Sequence, residues 1–263
     1  MVAQHWLRTA LAGVLALAAW PAQAGMEIIG EEGMTTLISE GQLKSMGQGP
    51  NDPTHIFDVN EGRVTLVYPA EEVYASGTPE EYCQALKGLQ EDMEKRMTEE
   101  ERRMVEEFKR GLREKTKRNP EVRVEPRGGG GQVAGFGTQH YAVYVDQQLT
   151  EEVWLSDEEA LMREFGDYQK LMDMTSRISR CISSTMGIAG GSLEEQKAYQ
   201  ELMEKGVELK SVEHTDGVSQ TEQVQDIVRR DIPASTFEPP EGFKETSIKE
   251  VMLAEQEAQN QGG

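Results

Sequence analysis

The sequence is short of the residues from which compact chemical sites are built. It has two cysteines and four histidines in 263 residues, and neither type occurs as a closely spaced pair. The lack of Cys-x-x-Cys excludes a dithiol redox motif, and the lack of a short-spaced histidine pair excludes the usual zinc signature. No Gly-x-Ser-x-Gly elbow is present, so the commonest serine-hydrolase arrangement is missing. The paired carboxylates Glu31-Glu32 and Glu71-Glu72 would point to opposite faces of a strand, which does not build an acid–base couple. Asp157-Glu158-Glu159 falls at a predicted helix start, where the macrodipole favours negative charge. The run Gly128–Gly131 leads into Gln132 and Val133 instead of Gly-Lys-Ser/Thr, so it is expected to be a flexible hairpin connection and not a phosphate loop. His55, His140 and His214 each fall in a predicted strand and are expected to be structural. No catalytic residue, metal or cofactor is expected, and the protein is expected to be no enzyme.

Basic residues are also scarce. Lys and Arg number 27 against 47 Asp and Glu, a formal charge of −20. Such a chain is repelled by nucleic acid and by anionic membrane surfaces, which excludes both as expected partners. After residue 24 no apolar run approaches the ~18 residues of a membrane span.

The first 24 residues read as a signal peptide. Arg8 is the positive start, Ala10 to Trp20 is an apolar run, Pro21 breaks the helix, and Ala22-Gln23-Ala24 carries the small residues of a cleavage site. Cleavage is expected between Ala24 and Gly25, giving a periplasmic or secreted protein with no membrane span. In that oxidising setting Cys83 and Cys181 form either a disulfide closing a loop of roughly 100 residues or two buried free thiols.

Residues 25–245 are expected to form a single α+β domain. From Met26 to Ser76 the pattern is that of short strands, with a hairpin turn at Asn60-Glu61-Gly62. Thr78-Pro79-Glu80-Glu81 opens a helix as a capping box with proline at the first helical position. Leu86, Leu89, Met93, Met97, Met104, Phe108 and Leu112 then form one apolar stripe. Thr98 with Glu101 makes a second capping box, so the segment is expected to be two helices meeting at Thr98, ended by Asn119-Pro120. A second hairpin turns at Asp146-Gln147-Gln148. Ser156 with Glu159 opens one long helix carrying Leu161, Met162, Phe165, Tyr168, Leu171, Met172, Ile178 and Ile182, and Ser192 with Glu195 opens a shorter one. Val207 to His214 and Val218 to Asp231 are joined through Asp216-Gly217, and residues 246–263 are expected to be a terminal helix and flexible tail. Strands in blocks with helices between them predict one curved antiparallel sheet with helices packed on its concave face.

Three stretches carry a resemblance: Val64 to Tyr68 with Glu72 to Ala75, then Glu151 to Leu155, then Phe237-Glu238-Pro239-Pro240-Glu241-Gly242-Phe243. They resemble a family of exported bacterial proteins known only by a domain of unknown function, which is similar in expected fold to the LolA-type lipoprotein carriers. That similarity implies an open half-barrel around helices with an apolar cavity, and it brings no catalytic residues. The methionine-rich stripes are either ordinary core packing between helix and sheet or the adaptable lining of a sheet–helix cavity; on the second reading the expected lining is Met93, Met97, Met104, Phe108, Phe165 and Met172. The expected function is binding of a lipid or other hydrophobic ligand. The alternative is an envelope protein–protein module docking through the helical segment 91–118, which holds ten basic and nine acidic residues.

Overall fold

The computed structural model describes residues 24–47, 49, 51–116, 120–186, 193–215 and 217–261. Apart from Ala24, the expected signal peptide lies outside the described residues, as do Asn119, Ser192, Asp216 and the last two glycines.

Local signals place the early elements. Six short strands come first: β1 (Ala24–Ile29), β2 (Thr35–Ser39), β3 (Gln42–Met46), β4 (Thr54–Asp58), β5 (Arg63–Tyr68) and β6 (Val73–Gly77). Gly62, at φ 70°, donates its amide to Asp58 O at 2.8 Å and turns β4 into β5. Helices α1 (Pro79–Arg96) and α2 (Glu99–Thr116) follow, with the break at Met97–Thr98 where the second capping box begins. Next are β7 (Val122–Val133), β8 (Phe136–Val145) and β9 (Gln148–Ser156), with Asp146 and Gln147 both at positive φ in the β8–β9 turn. The rest is α3 (Glu159–Phe165), α4 (Tyr168–Met186), α5 (Lys197–Met203), β10 (Val207–Thr215), β11 (Val218–Gln223), β12 (Asp226–Asp231), β13 (Lys244–Glu245) and α6 (Ile248–Gln261).

The described strands form two sheets, not the one expected. The larger has eight strands in the order β12-β1-β2-β3-β4-β5-β6-β13, and the smaller has five in the order β11-β10-β9-β8-β7. Neither is closed or strongly curled, so the open half-barrel does not form. The larger sheet is antiparallel except at its edge, where β13 runs parallel to β6. The segment expected as one strand from Val218 to Asp231 is what divides the sheets. Val224 donates its amide to Leu209 O in the small sheet, and Gln225 donates to Ile29 O in the large one, at 2.8 and 2.7 Å. The chain changes sheet between those two residues, because β12 finds an antiparallel partner in β1.

Two further expectations are corrected. The long helix after Ser156 is two helices, broken at Gly166 (φ 69°), with Asp167 Oδ1 accepting from Lys170 N at 3.0 Å to start α4. The glycine run is no loose connection: Gly128, Gly129 and Gly131 pair with β8 inside β7, and the turn itself falls at Ala134-Gly135.

Alternation along the strands explains the layers. Val64, Leu66 and Tyr68 of β5 face helices α1, α4 and α6, packing with Leu89, Met174, Ile248 and Val251. Val67, on the opposite face, joins Ile56, Ile232 and Phe237 beneath the segment that follows β12. The third core unites the sheets: Met26, Ile38, Leu43 and Val59 of the large sheet region meet Val133, Val207 and Leu209 of the small one around Leu161, Phe165 and Leu171. In the small sheet Val143, Val153 and Leu155 bury against Leu202 of α5.

Candidate functional site

The sequence at Thr78 and Thr98 builds a helical hairpin whose inner side is apolar. At each start the threonine hydroxyl accepts from the backbone of the glutamate three residues on, at 3.2 Å in both cases, and that glutamate takes the threonine amide in return. Met97 is extended, so α2 folds back along α1. Arg102 then donates to the free end carbonyls of α1, Glu94 O at 3.0 Å and Met97 O at 3.4 Å.

Between the two helices and the end of α4 lies a cleft of about 370 Å³. Leu86, Leu89, Met93, Met97 and Val105 line it, with Gln90, Glu94, Lys109 and Thr185 at its polar edge. Its size falls at the lower end of ordinary ligand pockets, ~300–1,000 Å³. At the edge Lys109 Nζ lies 2.9 Å from Glu94 Oε1, and Gln90 donates to the same oxygen at 2.7 Å. The Lys109 ammonium, helped by Gln90, holds the Glu94 carboxyl below the usual carboxylate range. The cleft therefore offers apolar walls and a charged pair at its mouth.

The six residues expected to share one sheet–helix cavity are dispersed. Met93 and Met97 line this cleft. Met104 and Phe108 of α2 point to solvent, 55% and 64% exposed. Phe165 is buried in the core between the sheets, edge-on to Tyr168 at 5.7 Å. Met172 lines a separate groove of about 350 Å³ between α4 and α5, with Tyr199 and Met203. The reason is rotational: when α2 folds back, Val105 and Lys109 turn toward α1, and the flank carrying Met104 and Phe108 stays uncovered. Val105 and Lys109 were not singled out from the sequence. Their spacing of four, one turn on from Glu101, was the available signal.

A second cluster lies on the small sheet. His140 Nε2 and His214 Nε2 each lie 3.1 Å from one oxygen of Glu152, and His214 Nδ1 is 2.9 Å from Ser219 Oγ. Trp154 stacks on His140 at 4.1 Å, with Lys210 over its other side at 4.6 Å from the ring centre. Two histidines that looked unrelated in the sequence are thus brought together by pairing of β8, β9 and β10, while His55 sits apart on β4. The order serine, imidazole, carboxylate is that of a nucleophile, base and orienting acid. Yet Ser219 is exposed on the outer strand and meets His214 as a directly opposed cross-strand pair. We read the cluster as a hydrogen-bonded surface network of the sheet. Among the described residues no group of three or more His, Cys, Asp or Glu is arranged to hold a metal ion.

The glycine run serves this cluster. A Cβ at Gly130 would lie 2.4 Å from Trp154 Cδ1 and 2.5 Å from Thr138 Oγ1. Gly130→Val is therefore expected to displace the indole and to cost about 1–3 kcal/mol. Trp154 is the only tryptophan of residues 25–263, so its emission spectrum checks the displacement and urea unfolding checks the loss.

The family model for a domain of unknown function, DUF4412, matches residues 87–243. The match runs from within α1 to the end of the segment carrying Phe237 and Phe243, and it includes α2 and the whole small sheet. No curated protein matches the chain. Among the described residues no helix is long and apolar enough to cross a membrane.

Proposed function

We propose that this chain, which belongs to the DUF4412 family, is a non-enzymatic binding protein that takes the apolar part of a lipid or similar ligand into the cleft between α1 and α2. The observation that carries the reading is the cleft's lining: Leu86, Leu89, Met93, Met97 and Val105 present apolar surface to a space of about 370 Å³. Burying an acyl chain there gains ~0.8 kcal/mol per methylene. The thioethers of Met93 and Met97 adapt to chains of different shape. Export supports the reading too: we propose removal of residues 1–24, which leaves Gly25 to begin the strand that pairs with β2 and β12.

The test is titration of the delipidated chain, residues 25–263, with a fluorescent fatty acid. Saturable binding is expected, weakened about tenfold or more (~1.4 kcal/mol) by Val105→Asp with little change in Tm. Met104→Gln, outside the cleft, is expected to bind as the parent does. A titration without saturation, or equal affinity in Val105→Asp, removes the reading.

One observation favours a second reading, an envelope protein–protein module. Met104 and Phe108 are spaced one turn apart and both face solvent, amid the alternating charges of α2. Recovery of a partner from envelope extract that Phe108→Ser abolishes, with fatty-acid binding absent, would replace the first reading by this one.

A further inference from the structure

We infer that Cys83 and Cys181 are a disulfide-forming pair that clamps α1 to α4.

In the structure both are free thiols, 98 positions apart in sequence and on different helices. The packing of α1 on α4 brings them together in a defined register. Glu80 of α1 meets Arg177 of α4 at 2.5 Å. One turn further along each helix stand Cys83 and Cys181. The Cys83 thiol donates to Arg177 O at 3.9 Å, one turn before Cys181, and both cysteines line the same opening. One more turn along α4, Thr185 reaches the cleft beside Leu86 and Leu89 of α1. The two helices thus run side by side in the same direction, and the thiols occupy facing positions between an ion pair and an apolar contact.

Access is one-sided. Cys181 is buried, whereas Cys83 is partly exposed. Both line an opening of about 490 Å³ together with Lys87, Arg177 and Arg180. An oxidant therefore meets Cys83 first. The exchange needs an external disulfide as oxidant. The Cys83 thiolate attacks one sulfur of that disulfide, whose other sulfur leaves as a thiolate. Cys181 then attacks the Cys83 sulfur and expels the second. The two protons of the cysteine thiols end on the two sulfurs of the oxidant. Two electrons pass from the pair to the oxidant.

Burial and the neighbouring Cys181 raise the Cys83 thiol to about 12. The thiolate is the nucleophile, so oxidation by a small disulfide is expected to be slow at neutral pH and to quicken as pH rises. An oxidised pair would also remain reducible from the Cys83 side.

The experiment is incubation of the folded chain, residues 25–263, with oxidised glutathione, followed by thiol alkylation, intact mass and peptide mapping. Expected are loss of two hydrogens, no alkylated cysteine, one peptide linking residues 83 and 181, and a rise in Tm of roughly 10 °C that reductant reverses. Cys83→Ala, which leaves the buried Cys181 in place, is expected to keep the reduced-state Tm and to lose the oxidation-dependent rise. Two alkylatable thiols after incubation in native conditions at pH 8.5, or a chain that stops at a glutathione adduct on Cys83, overturns the inference. So does a linked peptide whose formation leaves Tm unchanged.

Discussion

Leu161→Ala is expected to lower stability by about 2–5 kcal/mol, and Tm by roughly 5–15 °C for a chain of this size. Leu161 is fully buried in α3. It shares its cluster with Met26, Ile38, Leu43 and Val59 on the side of the large sheet and with Val133, Val207 and Leu209 of the small one. A truncated side chain there leaves a void that strands on two sides would have to move together to fill. Leu202→Ala, within the core that belongs to the small sheet alone, is the companion. If both sheets share one cooperative unit, each variant unfolds in a single transition in calorimetry. Two separated transitions in Leu202→Ala would show that the small sheet melts by itself, and an unchanged Tm in Leu161→Ala would show that the joining core contributes little.

Gly166→Ala is expected to be the other large loss, about 2–4 kcal/mol, from two causes that add. The residue adopts φ 69°, ψ −127°, a conformation that L side chains rarely take. An added Cβ would also lie 2.9 Å from Gly41 Cα, a backbone atom that cannot swing aside. The contact matters because Gly41 N donates to Glu164 O at 2.9 Å, which seats the α3–α4 junction on the β2–β3 turn. Gly111→Ala is the control: it lies in α2 with nothing within 4 Å of a new Cβ, and it is expected to be neutral or stabilising by up to about 1 kcal/mol. Urea unfolding of the two variants measures both. Equal stabilities would mean that the junction carries no strain.

Features fixed within a few residues were legible in the sequence, and those fixed by distant contacts were not. The capping boxes at Thr78 and Thr98 were legible, because each is a pair of hydrogen bonds across three residues and depends on nothing distant. The turns at Gly62 and at Asp146-Gln147 were legible for the same reason. Gly166 was not: its neighbours continue an apolar spacing of three and four on both sides, and the need for a glycine comes from Gly41, more than a hundred residues away. Gly130 is similar, since the feature that demands it is the Trp154 indole on another strand. The candidate cleft was legible in part. Met93 and Met97 followed from the stripe on α1, but the rotation of α2 that turns Val105 inward and leaves Met104 and Phe108 outside follows from how the hairpin closes.

The amino-acid sequence by itself determined the mixed α+β class, the short strands and their tight turns, the split of the helical hairpin at Thr98, and the acidic character. All of these rest on interactions within a few residues or on composition. Tertiary structure alone decided that the described strands form two sheets, that β12 leaves the small sheet to pair with β1, that His140 and His214 share Glu152, and that Cys83 and Cys181 line one opening. Those outcomes depend on which distant surfaces bury one another, and a strand or helix carries the same local pattern whichever partner it finds.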